Sequence, residues 1–125
     1  MNSLDQIVYR APSGAGGTIL PTAASLQERS EMDRWLASDD VWLARSAILH
    51  QERWGPDIDV DWVFAACLQR GGDGEFFIRK SIGWMLRTIA RRSPDDAAAV
   101  RAFLAAHDGE LSPLSRREAL VRVRH

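Results

Sequence analysis

The stretch GEFFIRKSIGWMLRTIARR, residues 74–92, decides the fold class. At about 100° per residue, Ile78, Ile82, Met85 and Ile89 fall within about 60° of one another, with Leu86 at the edge. That spacing predicts an amphipathic helix with one apolar stripe turned to a core. Glu75 stands at its start and Arg91-Arg92 at its end, each matched in sign to the helix dipole. On the opposite side, Lys80, Trp84, Arg87 and Arg91 cluster within about 60°. A tryptophan is thus placed among three cations, off the core stripe. Cations neutralise phosphates, and an aromatic plane contacts a sugar or a base. The competing reading packs Trp84 on a neighbouring helix, under the aliphatic stems of the cations.

Working outward, the same helical signals recur. Leu26, Met32, Trp35 and Leu36 supply an apolar face from about residue 26. Ser38 and Asp39 are capping residues for a helix over roughly 39–53, which Gly55-Pro56 ends. Asp57 or Asp59 starts another, with Trp62, Val63, Ala66 and Cys67 at helical spacing, and Gly71-Gly72 stops it. Ser93-Pro94-Asp95-Asp96 is a strong start signal for a helix through Val100, Phe103 and Leu104 to near Gly109. The last helix begins at Ser112-Pro113, or at Ser115 with Glu118 as its box partner, and runs to about Val123. No segment alternates with period two for long enough to suggest a strand. Residues 10–22 hold three glycines and two prolines. They predict a linker after a remnant helix, so that 1–25 stand apart from a helical domain over 26–125.

A weak internal repeat runs through the helices. Trp42-Leu43-Ala44-Arg45-Ser46-Ala47 overlays Phe77-Ile78-Arg79-Lys80-Ser81-Ile82, and both overlay Leu114-Ser115-Arg116-Arg117-Glu118-Ala119. Each unit is a helix pair that cannot bury its own apolar face, whereas stacked neighbours can. The expected fold is all-α, built from helical repeats, with a compact bundle as the alternative. Arg45 occupies the basic position of the first unit, flanked by Trp42 and Leu49. An arginine framed by large apolar groups has a limited approach direction and suits a two-pronged phosphate contact. A salt bridge to a local carboxylate is the other reading of Arg45.

Composition narrows the chemistry. At 125 residues and 46% hydrophobic content the chain can bury a core. Net charge is −1, but residues 1–74 balance at −5 and residues 75–125 at +4. The C-terminal half can therefore face a polyanion while the whole stays near neutral. Five tryptophans make at least one partly exposed ring expected. The single cysteine, Cys67, lies in an apolar run and reads as a buried small hydrophobe. His50, His107 and His125 form no metal-ligand pattern, so neither metal nor cofactor is expected. Gly14-Ala15-Gly16-Gly17 lacks the rest of a phosphate loop, and no Ser–His–Asp arrangement stands out. No basic N-terminal segment leads into an apolar run, and no apolar stretch approaches about 18 residues. A cytoplasmic chain without a membrane partner is expected.

Three long runs carry a family resemblance. They are residues 35–51, WLASDDVWLARSAILHQ, residues 75–87, EFFIRKSIGWMLR, and residues 111–120, LSPLSRREAL. In order and spacing they closely resemble the DNA alkylation repair family, alkylpurine DNA glycosylases built from HEAT-like repeats. The resemblance covers residues 26–125 well and 4–20 poorly. It implies an alpha-alpha superhelix that lacks N-terminal repeats. It also implies hydrolysis of the N-glycosidic bond of cationic N3- or N7-alkylated purines in double-stranded DNA. Carried over by motif, Trp84 matches the tryptophan that contacts the lesion sugar, and Arg45 the arginine that grips the flanking phosphate. Lys80 and Arg87 match basic positions near the DNA backbone, and Arg91 and Arg117 extend that basic set. Asp5, in Leu4-Asp5-Gln6-Ile7-Val8, is the candidate for the catalytic aspartate. The tryptophan that accompanies it in the family would fall at Met1.

Two other functions compete with a glycosylase. One is a DNA-binding chain without catalysis, which the basic C-terminal half favours. The other is a helical-repeat adaptor for proteins. Loss of N-terminal repeats is expected to expose an apolar end surface, through which the chain would self-associate.

Overall fold

From residue 40 onward, each α-helix begins where the sequence offers a side chain to its unpaired N–H groups. In the computed structural model, which describes residues 23–124, six α-helices follow one another. They are α1 (Ala23–Leu36), α2 (Val41–Leu49), α3 (Val60–Gln69), α4 (Phe76–Ala90), α5 (Pro94–Ala106) and α6 (Pro113–Ala119). A 3₁₀ turn, Gly55–Asp57, precedes α3. No strand occurs among the described residues. Residues 1–22, including the expected remnant helix and linker, lie outside them.

The caps explain the starts. Asp59, Glu75, Ser93 and Ser112 accept backbone N–H groups at the heads of α3, α4, α5 and α6. The cap of α2 is Asp40, not Ser38 or Asp39. Its Oδ1 accepts from Trp42 N–H at 2.9 Å. Ser38 serves instead to fix Asp40, its Oγ accepting from the Asp40 N–H at 2.9 Å.

Two helices end earlier than the pattern predicts. α2 stops at Leu49 rather than near 53, because the chain tightens into successive i→i+3 turns. That path buries Gln51, whose Oε1 accepts from the Asp59 N–H at 2.6 Å. α6 stops at Ala119 rather than near Val123, and Arg122 then takes φ +58°, which no α-helix continues. Ser115 does not open a capping box with Glu118. It sits inside α6, where its Oγ donates to the Arg79 carbonyl of α4 at 2.7 Å.

The packing is that of stacked helix pairs. α1 and α2 form one pair and α4 and α5 the next, α3 makes only light contact with α2 and α4, and α2, α4 and α6 lie side by side as a row. α4 is the hub, touching α2, α3, α5 and α6. Its stripe of Ile78, Ile82, Met85, Leu86 and Ile89 is fully buried, joined by Ile48, Val63, Cys67 and Val100 from the neighbouring helices. Each such aliphatic side chain contributes about 1.5–3 kcal/mol on leaving water. Arginines clamp the connections. Arg70 donates to the Leu36 and Ser38 carbonyls at 2.7 and 2.9 Å, and Arg92 to the Gly55 carbonyl at 2.7 Å. No helix among the described residues is long and apolar enough to cross a membrane.

Candidate nucleic-acid interface

Sealing the apolar stripe of α4 in the core leaves its other side to face outward. Trp84 is half-buried there. Trp35, Trp54 and Trp62 pack partly against the core, whereas Trp84 lies off it. Its partner is Arg45 of α2, whose Cζ stands 5.8 Å from the centre of the indole ring. That is cation–π distance. The contact joins α2 to α4 across the row, and it leaves Arg45 half-buried with a restricted range of approach. The local carboxylate that competes for Arg45, Glu52, lies instead beside Arg53 at 3.8 Å. Among the described residues no carboxylate pairs with Arg45.

Lys80 and Arg87 face the other way along the row, toward α6. The Lys80 Nζ lies 3.1 Å from Glu118 Oε1, and Arg87 reaches the same oxygen at 3.2 Å. Arg87 also donates to the Glu118 backbone carbonyl at 3.0 Å. The hydrogen bond from Lys80, and then that from Arg87, hold the Glu118 carboxyl below its ordinary range against the opposing effect of burial. Glu118 is therefore charged at neutral pH. Two cations and one carboxylate present one net positive charge where the sequence alone suggests two.

Arg91 closes α4 and is exposed. Arg117 is exposed on α6 and lines an open cleft of about 710 Å³ with Arg79 and Arg116. Arg116 is committed to the Leu104 carbonyl at 2.7 Å, and Arg79 to the Asp73 carbonyl at 3.0 Å. Arg117 has no ionic partner among the described residues. Asp5 lies outside the described residues.

Arg45 and Trp84 are thus brought together in space, from positions far apart in the chain. Lys80 and Arg87 converge on Glu118, which sequence reasoning treated only as a capping partner. Its position inside the basic run 116–124 was the available signal, since one carboxylate among many cations rarely lacks a partner. An indole with a guanidinium over its face suits contact with a sugar edge beside a phosphate.

A family model for DNA alkylation repair enzymes matches residues 15–123. The chain belongs to that family. It is similar to a solved structure described as a predicted DNA alkylation repair enzyme from Enterococcus faecalis. The two share 25% identity with a TM-score of 0.62, over 78% of this chain and 46% of that one. The chain thus spans about half the length of that relative. No curated protein matches it. Membership in the DNA alkylation repair family agrees with the all-helical architecture.

Proposed function

We propose that this chain acts on double-stranded DNA carrying N3- or N7-alkylated purines and hydrolyses their N-glycosidic bond. The observation that carries the reading is the Arg45–Trp84 pair, held off the core at 5.8 Å in a chain of the DNA alkylation repair family. An alkylated purine is already cationic, which makes it a good leaving group. The bond from C1′ to the base nitrogen breaks, and its electron pair neutralises the base. Positive charge builds on the sugar, and water then adds at C1′ and loses a proton. Catalysis of such a step is positional and electrostatic. In this reading Arg45 grips the flanking phosphate with its two-pronged guanidinium, and Trp84 lies against the deoxyribose. Asp5 supplies the carboxylate that stabilises the sugar charge and orients the water. Lys80, Arg87, Arg91 and Arg117 hold the backbone on either side.

The test is release of free base from a duplex carrying 7-methylguanine, with the chain in large excess. Release above the protein-free control is expected. It should fall on the order of a hundredfold in Asp5→Asn, and fall also in Arg45→Ala and Trp84→Ala. Release no faster than the control rejects catalysis.

A second reading, DNA binding without catalysis, draws on the charge balance of +4 over residues 75–125. It predicts salt-dependent binding to duplex DNA, weakened in Arg45→Ala and Lys80→Ala, with no base released.

A further inference from the structure

Three large aromatic side chains stand in the open at the heads of α2 and α4. Trp42 is 57% exposed, Phe76 53% and Phe77 44%. They are not scattered. The Trp42 and Phe77 rings are 5.1 Å apart and tilted by 44°, and Phe76 meets Phe77 edge-on at 5.3 Å. The rings therefore run in one chain of contacts from α2 to α4. Single exposed apolar residues need no explanation, but a contiguous aromatic patch marks a binding surface.

Helix phase says which surface this is. Trp42 precedes Arg45 by three residues on α2, and Phe77 precedes Lys80 by three and Trp84 by seven on α4. Such spacings keep side chains on one face. Two contacts then link the helices along that face, first Trp42 with Phe77 and further along Arg45 with Trp84. Of the acids at this end, Asp40 and Glu75 turn their carboxylates onto the N–H groups of Trp42 and Phe77, where the helix dipoles offset their charge, Asp73 is paired with Arg70, and Asp39 is exposed. About one turn inward stands the cation Arg45, while Lys80 at the same level of α4 is turned to Glu118 on α6. Aromatic faces with a cation beside them complement a nucleobase and its phosphate, and the cation repels a basic peptide.

We infer that Trp42 and Phe77 form a stacking platform for an unpaired nucleobase, next to the row that meets the duplex. Phe76 backs the platform from its edge. The ligand class is a duplex with one nucleotide out of the stack, not only a continuous double helix. This inference rests on the DNA reading proposed above.

The experiment compares a fluorescent duplex bearing a single-nucleotide bulge with a fully paired duplex of the same length. Both are titrated with the wild-type chain and with the double variant Trp42→Ala/Phe77→Ala. Both residues are largely exposed, and a thermal melt checks that the variant keeps its fold. Wild type is expected to prefer the bulged duplex on the order of tenfold, the range that one stacked base supplies. The double variant should lose that preference while binding the paired duplex as before. Trp42→Phe should retain most of it. Equal affinity of wild type for the two duplexes overturns the platform, as does a preference that survives the double substitution. Binding of an aromatic, lysine-rich peptide that the double variant abolishes, with both DNA affinities unmoved, also overturns it. Paired-duplex binding without bulge preference sinks the platform alone. No binding to either duplex sinks the DNA reading with it.

Discussion

A Cβ placed on Gly83 would lie 2.5 Å from the Cβ of Glu118 and 3.0 Å from the Ser115 carbonyl oxygen. The two helices of this contact, α4 and α6, therefore approach as closely as they do because residue 83 has no side chain. Glycine in mid-helix costs about 0.5–1 kcal/mol relative to alanine, so the close approach must return more than that. Part of the return is visible in the Ser115–Arg79 hydrogen bond and in the two cations on Glu118. Gly83→Ala should force the helices apart and destabilise the fold by roughly 1–3 kcal/mol. Gly72→Ala is the control, because a Cβ there meets nothing within 4 Å. Urea melts of the two variants check the contrast. Equal midpoints would mean that α6 shifts freely.

Acid should weaken the fold in two stages. Burial lowers the pKa of the His50 imidazole, so the folded chain takes up that proton less readily than the unfolded chain. Stability then begins to fall as pH drops below about 6.5. The second stage belongs to carboxylates held below their ordinary range. A hydrogen bond from Arg70 holds Asp73 there, one from Arg92 holds Asp96, and one from Lys80 holds Glu118. Their stabilisation is complete above the unfolded value of about 4 and is lost as pH falls through the depressed folded values. Glu118→Gln should flatten part of the lower stage and leave the upper one in place. Urea midpoints from about pH 7 to about pH 3 measure both.

Cys67 should be chemically silent in the folded chain. It is fully buried, and burial pushes its thiol up to about 12. Only a thiolate attacks a disulfide reagent, and almost none exists at neutral pH at that value. Absorbance with an aromatic disulfide should stay flat in buffer and rise by one equivalent in denaturant. A stoichiometric reaction without denaturant would show that the space between α3 and α4 opens.

Much of this architecture was legible in residues 74–92, because an apolar stripe at helical period fixes both the helix and its buried side. The cap at Ser93 was equally readable, since that serine directly precedes the helix that it starts, whereas the pattern left Ser112 and Ser115 open for α6 and gave Glu75 only its match to the dipole. The ends of α2 and α6 were not. They depend on Gln51 reaching the Asp59 N–H and on Arg122 adopting a left-handed backbone, which local pattern does not encode. The candidate surface divides in the same way. Helix phase placed Trp84 on an outward face, but the Arg45 contact spans two repeats. Glu118 meets Lys80 across an inter-helix gap whose width is set by Gly83. Such pairings are tertiary facts, and no spacing within one helix announces them.

Glu118 also bears on DNA affinity, and in a direction that distinguishes it from the cations around it. A phosphate approaching Lys80 must compete with a carboxylate 3.1 Å away. Arg87 is tied both to that carboxylate and to the Glu118 backbone carbonyl, at 3.2 and 3.0 Å. Glu118→Gln removes the charge but not the backbone carbonyl, so Lys80 is released while Arg87 keeps one partner. The variant should bind paired duplex more tightly at low salt, with the slope of log affinity against log salt steeper by about one. Lys80→Ala should make the slope shallower by about the same amount. The double variant Lys80→Ala/Glu118→Gln should bind much like Lys80→Ala, because the released charge is no longer there to release. Fluorescence anisotropy across a salt series reads all three. A slope in Glu118→Gln no steeper than in wild type would mean that Lys80 meets no phosphate, and that its bond to α6 serves the fold alone.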